Sequence, residues 1–485
     1  MKAPPPGARA WFWSLVLVAT IAGAGLRLFR LGEGNFWVDE LYTVRSASNL
    51  ARGQWQWTKV LGYVPAYLGL TTAGVDAAAL ETEHPGGWLD AGVTERIVRL
   101  PSALIGIATI PILALASRRV LGWRAAGILA VLLALSPWHL YWSQAARYYV
   151  PQFLFYNLAL ILYIGGTRPA DPMRLAGAAA AFVVAFMIQP TALVLGGVIA
   201  ADWAVCALRR RPLCVGRSGW AAATTAAAAC AGLSLADALR SADNLATALS
   251  NDLMLSPAGL IAAAAYQIWP AVAAFAALSG LWLWTRRPRL AAVLGAGAVL
   301  PIIAFAGLST VAPVGSRYAF VCLFCWLALA AIGADRAWRA LLPRTGPALA
   351  AAPAAVLAVG SLLGCAIYFN SEGNFHARWG DAARAVAALR APGEPVHAAK
   401  PGPWYIVSYY LREPVRDMPA STEEVAAIPG VSWFLVDHRS RGSRRHWLMQ
   451  DAELMDYFAL RAVHTNSSVQ IYRHEAPPLP DDHTD

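Results

Sequence analysis

The feature that most constrains this chain is a series of apolar segments, each long enough to cross a lipid bilayer as a helix. Of its 485 residues, 58% are hydrophobic and only 14% are charged. A helix needs about 20 mainly apolar residues to span the hydrocarbon core. The sequence predicts eleven such spans, at 11–29, 100–117, 122–138, 148–166, 173–190, 191–208, 218–236, 258–284, 290–308, 318–335 and 347–369. We therefore predict a mainly α fold, a polytopic bundle of about eleven transmembrane helices.

Positive charge falls in alternate connections between these segments. Short cytoplasmic loops carry an excess of Lys and Arg. The basic connections hold Lys2 and Arg9, then Arg118, Arg119 and Arg124, then Arg168 and Arg174, then Arg209, Arg210, Arg211 and Arg217, then Arg286, Arg287 and Arg289, then Arg336, Arg339 and Arg344. We predict a multi-pass protein of the cell (plasma or inner) membrane with its amino terminus in the cytoplasm and its carboxy terminus outside. The net charge of +10 then follows from topology, and we do not expect a nucleic-acid partner.

The chain is predicted to divide into three parts. Residues 1–370 form the transmembrane domain, whose first outer loop, 31–98, is too long for a connector and is expected to hold short helices on the membrane surface. Residues 371–475 are expected to form a small extracytoplasmic α/β domain, with a helix at about 376–390 and strands at 431–438 and 469–474. Residues 476–485 are expected to be disordered.

Unexplained polar residues cluster on the predicted outer face. Asp39 and Glu40 lie in "FWVDELYTV", and His84 follows later in the same loop. Arg147 lies in "SPWHLYWSQAARYY" and Arg317 in "VGSRY". Ionisable groups at a membrane boundary often mark a substrate path or a catalytic site. Plainer interpretations remain open: the arginines could snorkel to the interface, the carboxylates could form an exposed turn, and His84 could cap a surface helix.

The location of these residues limits the chemistry. Nucleotide sugars and ATP are essentially absent outside the cytoplasm, and the chain has no GxxxxGKS phosphate loop. An activated donor would then arrive through the lipid, and a polyprenyl-phosphate sugar fits this requirement. Its phosphate is a good leaving group that needs cationic stabilisation, which arginine supplies. A single carboxylate would suffice as the base for an acceptor hydroxyl.

Five motifs occur in a fixed order along the chain: "FWVDELYTV", "EHPGGW", "RLPSALIGIATIPILALASRRVLG" at 99–122, "ALSPWHLYWSQAARYY" at 134–149 and "SRY" at 316–318. In this order they resemble the polytopic glycosyltransferases of the GT-C class, in the branch related to protein O-mannosyltransferases and the lipid A aminoarabinose transferase. The resemblance covers about residues 11–370 and is strongest over 36–149.

The resemblance implies roles for particular residues. Asp39 maps onto the presumed base, with Glu40 beside it, and Arg147 maps onto a contact to the donor phosphate, with Arg317 as a second contact. We predict His84, Gln144 and Tyr148 as further substrate contacts. The chain departs from the family at His84-Pro85-Gly86-Gly87-Trp88, where relatives commonly carry a second proline. No Asp-x-Asp signature occurs in the first outer loop, so we predict no cofactor and no metal ligand, and a divalent metal is left open.

These observations predict a glycosyltransferase that moves a sugar from a polyprenyl-phosphate donor to a hydroxyl of a glycan, lipid or protein acceptor at the outer membrane face, with inversion. A transporter or flippase of a lipid-linked glycan is the alternative, because such proteins also bury charge in a polytopic fold. Transporters, however, usually show repeated halves with broken helices, and we detect no internal repeat.

Overall fold

The computed structural model describes residues 7–167, 171–210, 215–240, 256–311, 314–370, 378–399, 402–419, 424–425, 427–437, 461–465 and 469–475. Its packing divides the chain into two compact units. Unit 1 consists of Met1–Phe29, Trp55–Pro65 and Arg99–Phe369. Unit 2 consists of Arg30–Gln54, Ala66–Val98 and Asn370–Asp485.

The described part of the chain is mostly helical. In chain order its α-helices are α1 (Ala8–Leu28), α2 (Val38–Ala51), α3 (Val60–Thr72), α4 (Glu95–Leu121), α5 (Trp123–Leu135), α6 (Pro137–Ser143), α7 (Tyr149–Gly166), α8 (Pro172–Ile188), α9 (Val194–Leu208), α10 (Gly216–Arg240), α11 (Pro257–Ile268), α12 (Pro270–Arg286), α13 (Pro288–Leu308), α14 (Leu323–Ala350), α15 (Ala352–Asn370), α16 (Trp379–Leu389) and α17 (Gly402–Leu411). Short 3₁₀ helices occur at Pro85–Gly87, Pro190–Leu193 and Ser316–Cys322.

The helices of unit 1 have the length and composition of membrane spans. Among the described residues, 8 helices are long and apolar enough to cross a bilayer, or up to 10 if each of two bent pairs counts as one span. The apolar helix α8 is slightly shorter, at 17 residues. Each predicted span falls on one of these helices or bent pairs. The chain is therefore a multi-pass membrane protein with a polytopic helical fold, as predicted.

Two of the predicted spans are bent rather than straight. Helices α5 and α6 meet at 58° across Ser136, and α11 and α12 meet at 92° across Trp269. A proline, Pro137 or Pro270, begins the second helix of each pair. Proline lacks a backbone N–H and disfavours helical geometry in the residue before it. Trp269 also has a positive φ of 68°, which is uncommon for a residue other than glycine.

An ion pair lies between three helices of unit 1. The carboxylate of Asp202 on α9 is fully buried. Arg289 on α13 donates two hydrogen bonds to it from Nε, at 2.7 and 3.1 Å, and one from Nη2 at 2.6 Å. Tyr163 on α7 donates a fourth at 2.7 Å. This forked geometry satisfies the buried charge, as a stable buried ion pair requires.

Unit 2 contains a four-stranded sheet with the order β1-β2-β4-β3, formed by β1 (Val396–Ala398), β2 (Val431–Asp437), β3 (Arg461–Thr465) and β4 (Val469–Glu475). Strand β1 pairs in parallel with β2, and the other pairs are antiparallel. The small α/β domain is thus present, with α16, β2 and β4 close to their predicted positions. The tail 476–485, predicted to be disordered, lies outside the described residues.

Most of the first outer loop belongs to unit 2, as residues 31–54 and 66–98, while residues 55–65 belong to unit 1. Three tyrosines of α17 bind its backbone or its flank. Tyr405 donates to the carbonyl of Thr82 at 2.9 Å and Tyr409 to that of Val93 at 2.8 Å. Tyr410 accepts a hydrogen bond from the N–H of Phe36 at 2.7 Å and donates to Glu95. The carboxy-terminal part of the chain therefore shapes the loop that holds Asp39.

Candidate active site

The two adjacent carboxylates occupy the first turn of α2 in different surroundings. Glu40 is only 1% exposed, and its carboxylate accepts a hydrogen bond from the backbone N–H of Trp37 at 3.4 Å. Asp39 is half-buried. Negative charge is favourable at a helix amino terminus. Glu40 therefore helps to begin its own helix, and Asp39 is the more accessible of the two.

The negative charge of Asp39 affects the pKa of Tyr42. The pKa of Tyr42 is raised, first by burial and second by the negative charge of Asp39, while Arg45 acts in the opposite direction. Residues three apart on a helix lie on the same face. Asp39 and Tyr42 thus form one half-buried face of α2.

Aromatic rings continue from this face into the rest of unit 2. The ring centroid of Tyr42 lies 5.6 Å from that of Tyr405, which lies 5.9 Å from Trp404. Trp404 in turn lies 5.6 Å from the ring of His84. Tyr405 is buried, whereas Tyr42, His84 and Trp404 are half-buried. We call these four residues the aromatic strip.

The unusual glycine after His84-Pro85 has a packing reason. A Cβ on Gly86 would lie 2.9 Å from the backbone nitrogen of Glu413 and 3.0 Å from the carbonyl carbon of Arg412. Backbone atoms cannot move aside as a flexible side chain can, so only glycine fits this approach. The missing second proline thus reflects contact between the first outer loop and the segment after α17.

Unit 1 holds the predicted phosphate ligands against one group of tyrosines. The guanidinium carbon of Arg147 lies 4.7 Å from the ring centroid of Tyr148 and 5.8 Å from that of Tyr149. The guanidinium carbon of Arg317 lies 5.7 Å from the ring of Tyr318. The rings of Tyr149 and Tyr318 are 6.1 Å apart. Two arginines distant in sequence therefore share one cluster, which we call the tyrosine cluster.

Gln144 and Tyr148, predicted as substrate contacts, make structural contacts. The amide nitrogen of Gln144 lies 3.2 Å from the carbonyl of Arg27 and 2.8 Å from that of Phe29, at the end of α1, and its amide oxygen accepts from Tyr368 at 2.8 Å. The hydroxyl of Tyr148, which is buried, accepts from Gln189 at 3.3 Å. Gln144 thus ties the carboxy-terminal ends of α1 and α15 together. Contact of either residue with substrate stays a prediction.

Sequence reasoning missed Arg27. It lies in the last turn of α1 and is fully buried. Its guanidinium hydrogen-bonds to carbonyls of α1 and α5 and to two side chains of α6. An arginine near the end of a span is ordinarily expected to snorkel to the interface, so the sequence signal for burial was weak.

The structure distributes the predicted site residues between its units. Arg147, Arg317, Gln144 and Tyr148 belong to unit 1, and Asp39, Glu40 and His84 belong to unit 2. Within the described ranges, no group of three or more His, Cys, Asp or Glu side chains is arranged to hold a metal ion.

The sequence matches a family model over part of its length. The family model for dolichyl-phosphate-mannose-protein mannosyltransferase matches residues 90–234. No curated protein sequence matches the chain.

Solved structures of similar fold cover nearly the whole chain. ArnT from Cupriavidus metallidurans in the apo state has 15% sequence identity and a TM-score of 0.61, covering 98% of this chain and 100% of its own. ArnT from the same organism bound to undecaprenyl phosphate has 16% identity and a TM-score of 0.56, with 97% and 99% covered. Archaeal oligosaccharyltransferase AglB from Archaeoglobus fulgidus, in complex with an inhibitory peptide and a dolichol-phosphate, has 14% identity and a TM-score of 0.52, with 89% and 70% covered.

The predicted resemblance is confirmed: from its membrane helices to its carboxy-terminal sheet, the chain has the GT-C fold of the polytopic glycosyltransferases related to the protein O-mannosyltransferases and ArnT.

Proposed function

We propose that this protein transfers a sugar from a polyprenyl-phosphate donor to an acceptor hydroxyl at the outer face of the membrane. The observation that carries the proposal is the tyrosine cluster, which gathers Arg147 and Arg317 in the membrane unit. Guanidinium groups bind phosphate through charge-assisted, often bidentate hydrogen bonds. Two of the similar structures are complexes with undecaprenyl phosphate and dolichol-phosphate, which supports a lipid phosphate as the ligand.

Asp39 is the proposed general base. Its own unit half-buries it beside Tyr42, and Glu40 is the next residue. In the proposed step the acceptor oxygen bonds to the anomeric carbon as its proton passes to Asp39. The bond from that carbon to the phosphate oxygen breaks, its electron pair leaves with the lipid phosphate, and the anomeric configuration inverts.

The aromatic strip is the proposed contact surface for the acceptor. It begins at Tyr42, on the same helix face as Asp39, and ends at His84 and Trp404. Aromatic side chains offer a large apolar face with a polar edge, which suits the ring of a sugar or the apolar part of a lipid. The identity of the donor sugar and of the acceptor depends on pocket shape, which no motif encodes.

Binding of undecaprenyl phosphate to the full-length protein in detergent micelles tests the donor assignment. Arg147→Ala should weaken binding about 10- to 100-fold, because a hydrogen bond to a charged group contributes about 1.5–3 kcal/mol. The matched control is Arg209→Ala, since Arg209 also stacks on an aromatic ring of unit 1, with its guanidinium carbon 5.0 Å from the ring of Trp284. Equal affinity of Arg147→Ala and wild type would remove Arg147 from the donor site.

Release of polyprenyl phosphate from candidate polyprenyl-phosphate sugars separates an enzyme from a transporter. In micelles there are no two compartments, so a flippase alone would leave the donor intact. Acceptor-dependent release of lipid phosphate would establish the transferase. A strain lacking the protein should in parallel lose one sugar from its envelope glycans, lipids or secreted proteins.

A further inference from the structure

Arg27 is a buried positive charge in unit 1 whose hydrogen-bond partners differ from those of an ordinary buried ion pair. Its side chain is fully buried, and its hydrogen-bond partners among the described residues are all uncharged. Arg289, by comparison, forms a forked pair with a carboxylate. Burying an arginine without a counter-ion is costly, and such residues within membrane proteins are usually functional.

The guanidinium of Arg27 stabilises the break between α5 and α6. It donates to the carbonyls of Leu133 and Ala134, both at 3.1 Å, in the last turn of α5. Helix α5 ends before Pro137, so these carbonyls lack partners in a continuing helix, and a helix carboxy terminus carries partial negative charge. Arg27 supplies both the missing donors and the opposite charge.

The same side chain fixes α6. Its Nη2 lies 2.7 Å from Nδ1 of His139, and its Nε donates to the hydroxyl of Ser143 at 3.2 Å. Arginine can only donate, so Nδ1 of His139 is the acceptor and the ring proton lies on Nε2. The imidazole is thereby held in one tautomer and one orientation.

Glycine makes room for this arrangement on α4. A Cβ on Gly106 would lie 2.3 Å from the Oγ of Ser143 and 3.3 Å from the Nε of Arg27. Helix α4 therefore passes close to Ser143 and the Arg27 side chain, and a larger residue at position 106 would displace Ser143.

Two routes lead from Arg27 to the proposed phosphate ligands. The first is covalent, because α6 runs directly into residues 144–148, which contain Arg147, and Gln144 bonds back to the carbonyl of Arg27. The second is packing. The ring of His139 lies 6.0 Å from Phe320, and that of Trp138 lies 5.4 Å from it.

Phe320 belongs to the 3₁₀ helix Ser316–Cys322, which carries Arg317. The segments that bear both arginines of the tyrosine cluster therefore rest on α6, and α6 is held by Arg27.

We propose that Arg27 is a positioning residue that sets the geometry of Arg147 and Arg317 for the donor phosphate; this inference rests on the proposed function. Arg27 does not touch the lipid phosphate itself. It acts by fixing the α5–α6 break, from which both arginine segments take their position.

The test is a double-mutant cycle on undecaprenyl phosphate affinity, with the full chain in micelles. Arg27→Lys keeps the charge but loses the planar fork that serves several acceptors at once, so it should weaken binding about 10-fold. In an Arg147→Ala background the same change should have much less effect, because the guanidinium that Arg27 positions is no longer present. Arg289→Lys, the control at an arginine that pairs with the buried Asp202, should bind as wild type.

The outcomes separate cleanly. Normal affinity of Arg27→Lys, equal loss in Arg27→Lys and Arg289→Lys, or an undiminished effect in the Arg147→Ala background would each overturn the positioning role. Normal affinity of Arg147→Ala would instead overturn the proposed donor site. If Arg27→Lys does not fold, Gly106→Ala takes its place in the cycle: weakened binding that depends on Arg147 supports the inference, and unchanged binding rejects it.

Discussion

The two units that hold the candidate residues differ in the charge of those residues and in the elements that support them. In unit 1, Arg147 and Arg317 lie against tyrosine rings on segments that follow or form short helices. In unit 2, Asp39 and Glu40 begin a helix whose loop is bound by α17. Positive charge suited to binding and negative charge suited to proton transfer thus come from separate parts of the chain. Binding and turnover should therefore be separable by mutation.

The largest effect is expected at Asp39. Asp39→Asn is nearly isosteric and removes the proposed base, and loss of one positioned base typically costs about 100- to 10,000-fold in rate. Affinity for undecaprenyl phosphate should be unchanged or slightly tighter, because a negative charge is lost. Turnover and donor binding are measured on the same preparation. Near-normal turnover would exclude Asp39 and direct attention to Glu40, and lost donor binding would contradict the separation.

A smaller effect, on donor binding and not on the maximal rate, is expected at Arg147. Arg147→Lys keeps the positive charge but loses the bidentate geometry, so donor affinity should fall about 10-fold, while the maximal rate at saturating donor changes less. Donor affinity and maximal rate are both obtained from initial rates over a range of donor concentrations. A variant with unchanged donor affinity and a reduced maximal rate would place Arg147 in catalysis instead.

The next prediction distinguishes the role of Glu40 from that of Asp39. Because its carboxylate is buried and accepts the N–H of Trp37, Glu40→Gln should destabilise the start of α2 by about 1 kcal/mol, the range of charge effects at helix ends. Hydrogen exchange of the α2 amides measures this directly, with the amides of α7 as the internal control. If Glu40→Gln lost as much rate as Asp39→Asn without any change in hydrogen exchange of α2, Glu40 would be the base in place of Asp39.

The smallest effect concerns pH and unit 2 alone. Burial lowers the pKa of His397 below its usual 6.5, although its hydrogen bond to the carbonyl of Asp417 acts in the opposite direction. A histidine held neutral is protonated more readily in the unfolded chain, so stability is complete above about pH 6.5 and falls as the pH drops below that value.

The protection factors of the β1 and β2 amides, which correct for the slower intrinsic exchange at lower pH, should then fall at mildly acidic pH, while those of α7 in unit 1 change little. His397→Gln should remove this pH dependence. If the unsubstituted protein shows no difference between the strands and α7, His397 does not limit the stability of unit 2.

The positions of the membrane helices could be predicted because apolar length is a local property of the sequence. The bend at Trp269 could not be placed, since the composition of 258–284 shows how much apolar chain is present but not its direction. Pro270 was a usable signal for it. Helix α16 and strands β2 and β4 were predictable from their periodicity. Strands β1 and β3 were too short or irregular to show one.

The candidate residues could be named from the sequence only where a motif contains them. Asp39, Arg147 and Arg317 came from family motifs, and their roles stay predictions. Arg27 and Gln144 act through carbonyls of neighbouring helices, and nothing local in a sequence marks which helices will be neighbours. The grouping of the first outer loop with α17 likewise depends on hydrogen bonds between residues far apart in the chain.

The three tyrosines of α17 have a consequence for how the protein is made. Residues 405–410 are synthesised after all of the membrane helices, yet their hydroxyls bind the segments around Phe36, Thr82 and Val93. The ribosome must therefore synthesise the chain as far as α17 before the loop with the proposed base can acquire its final form. A nascent or truncated chain that lacks α17 would have its membrane helices but not these three contacts to the loop.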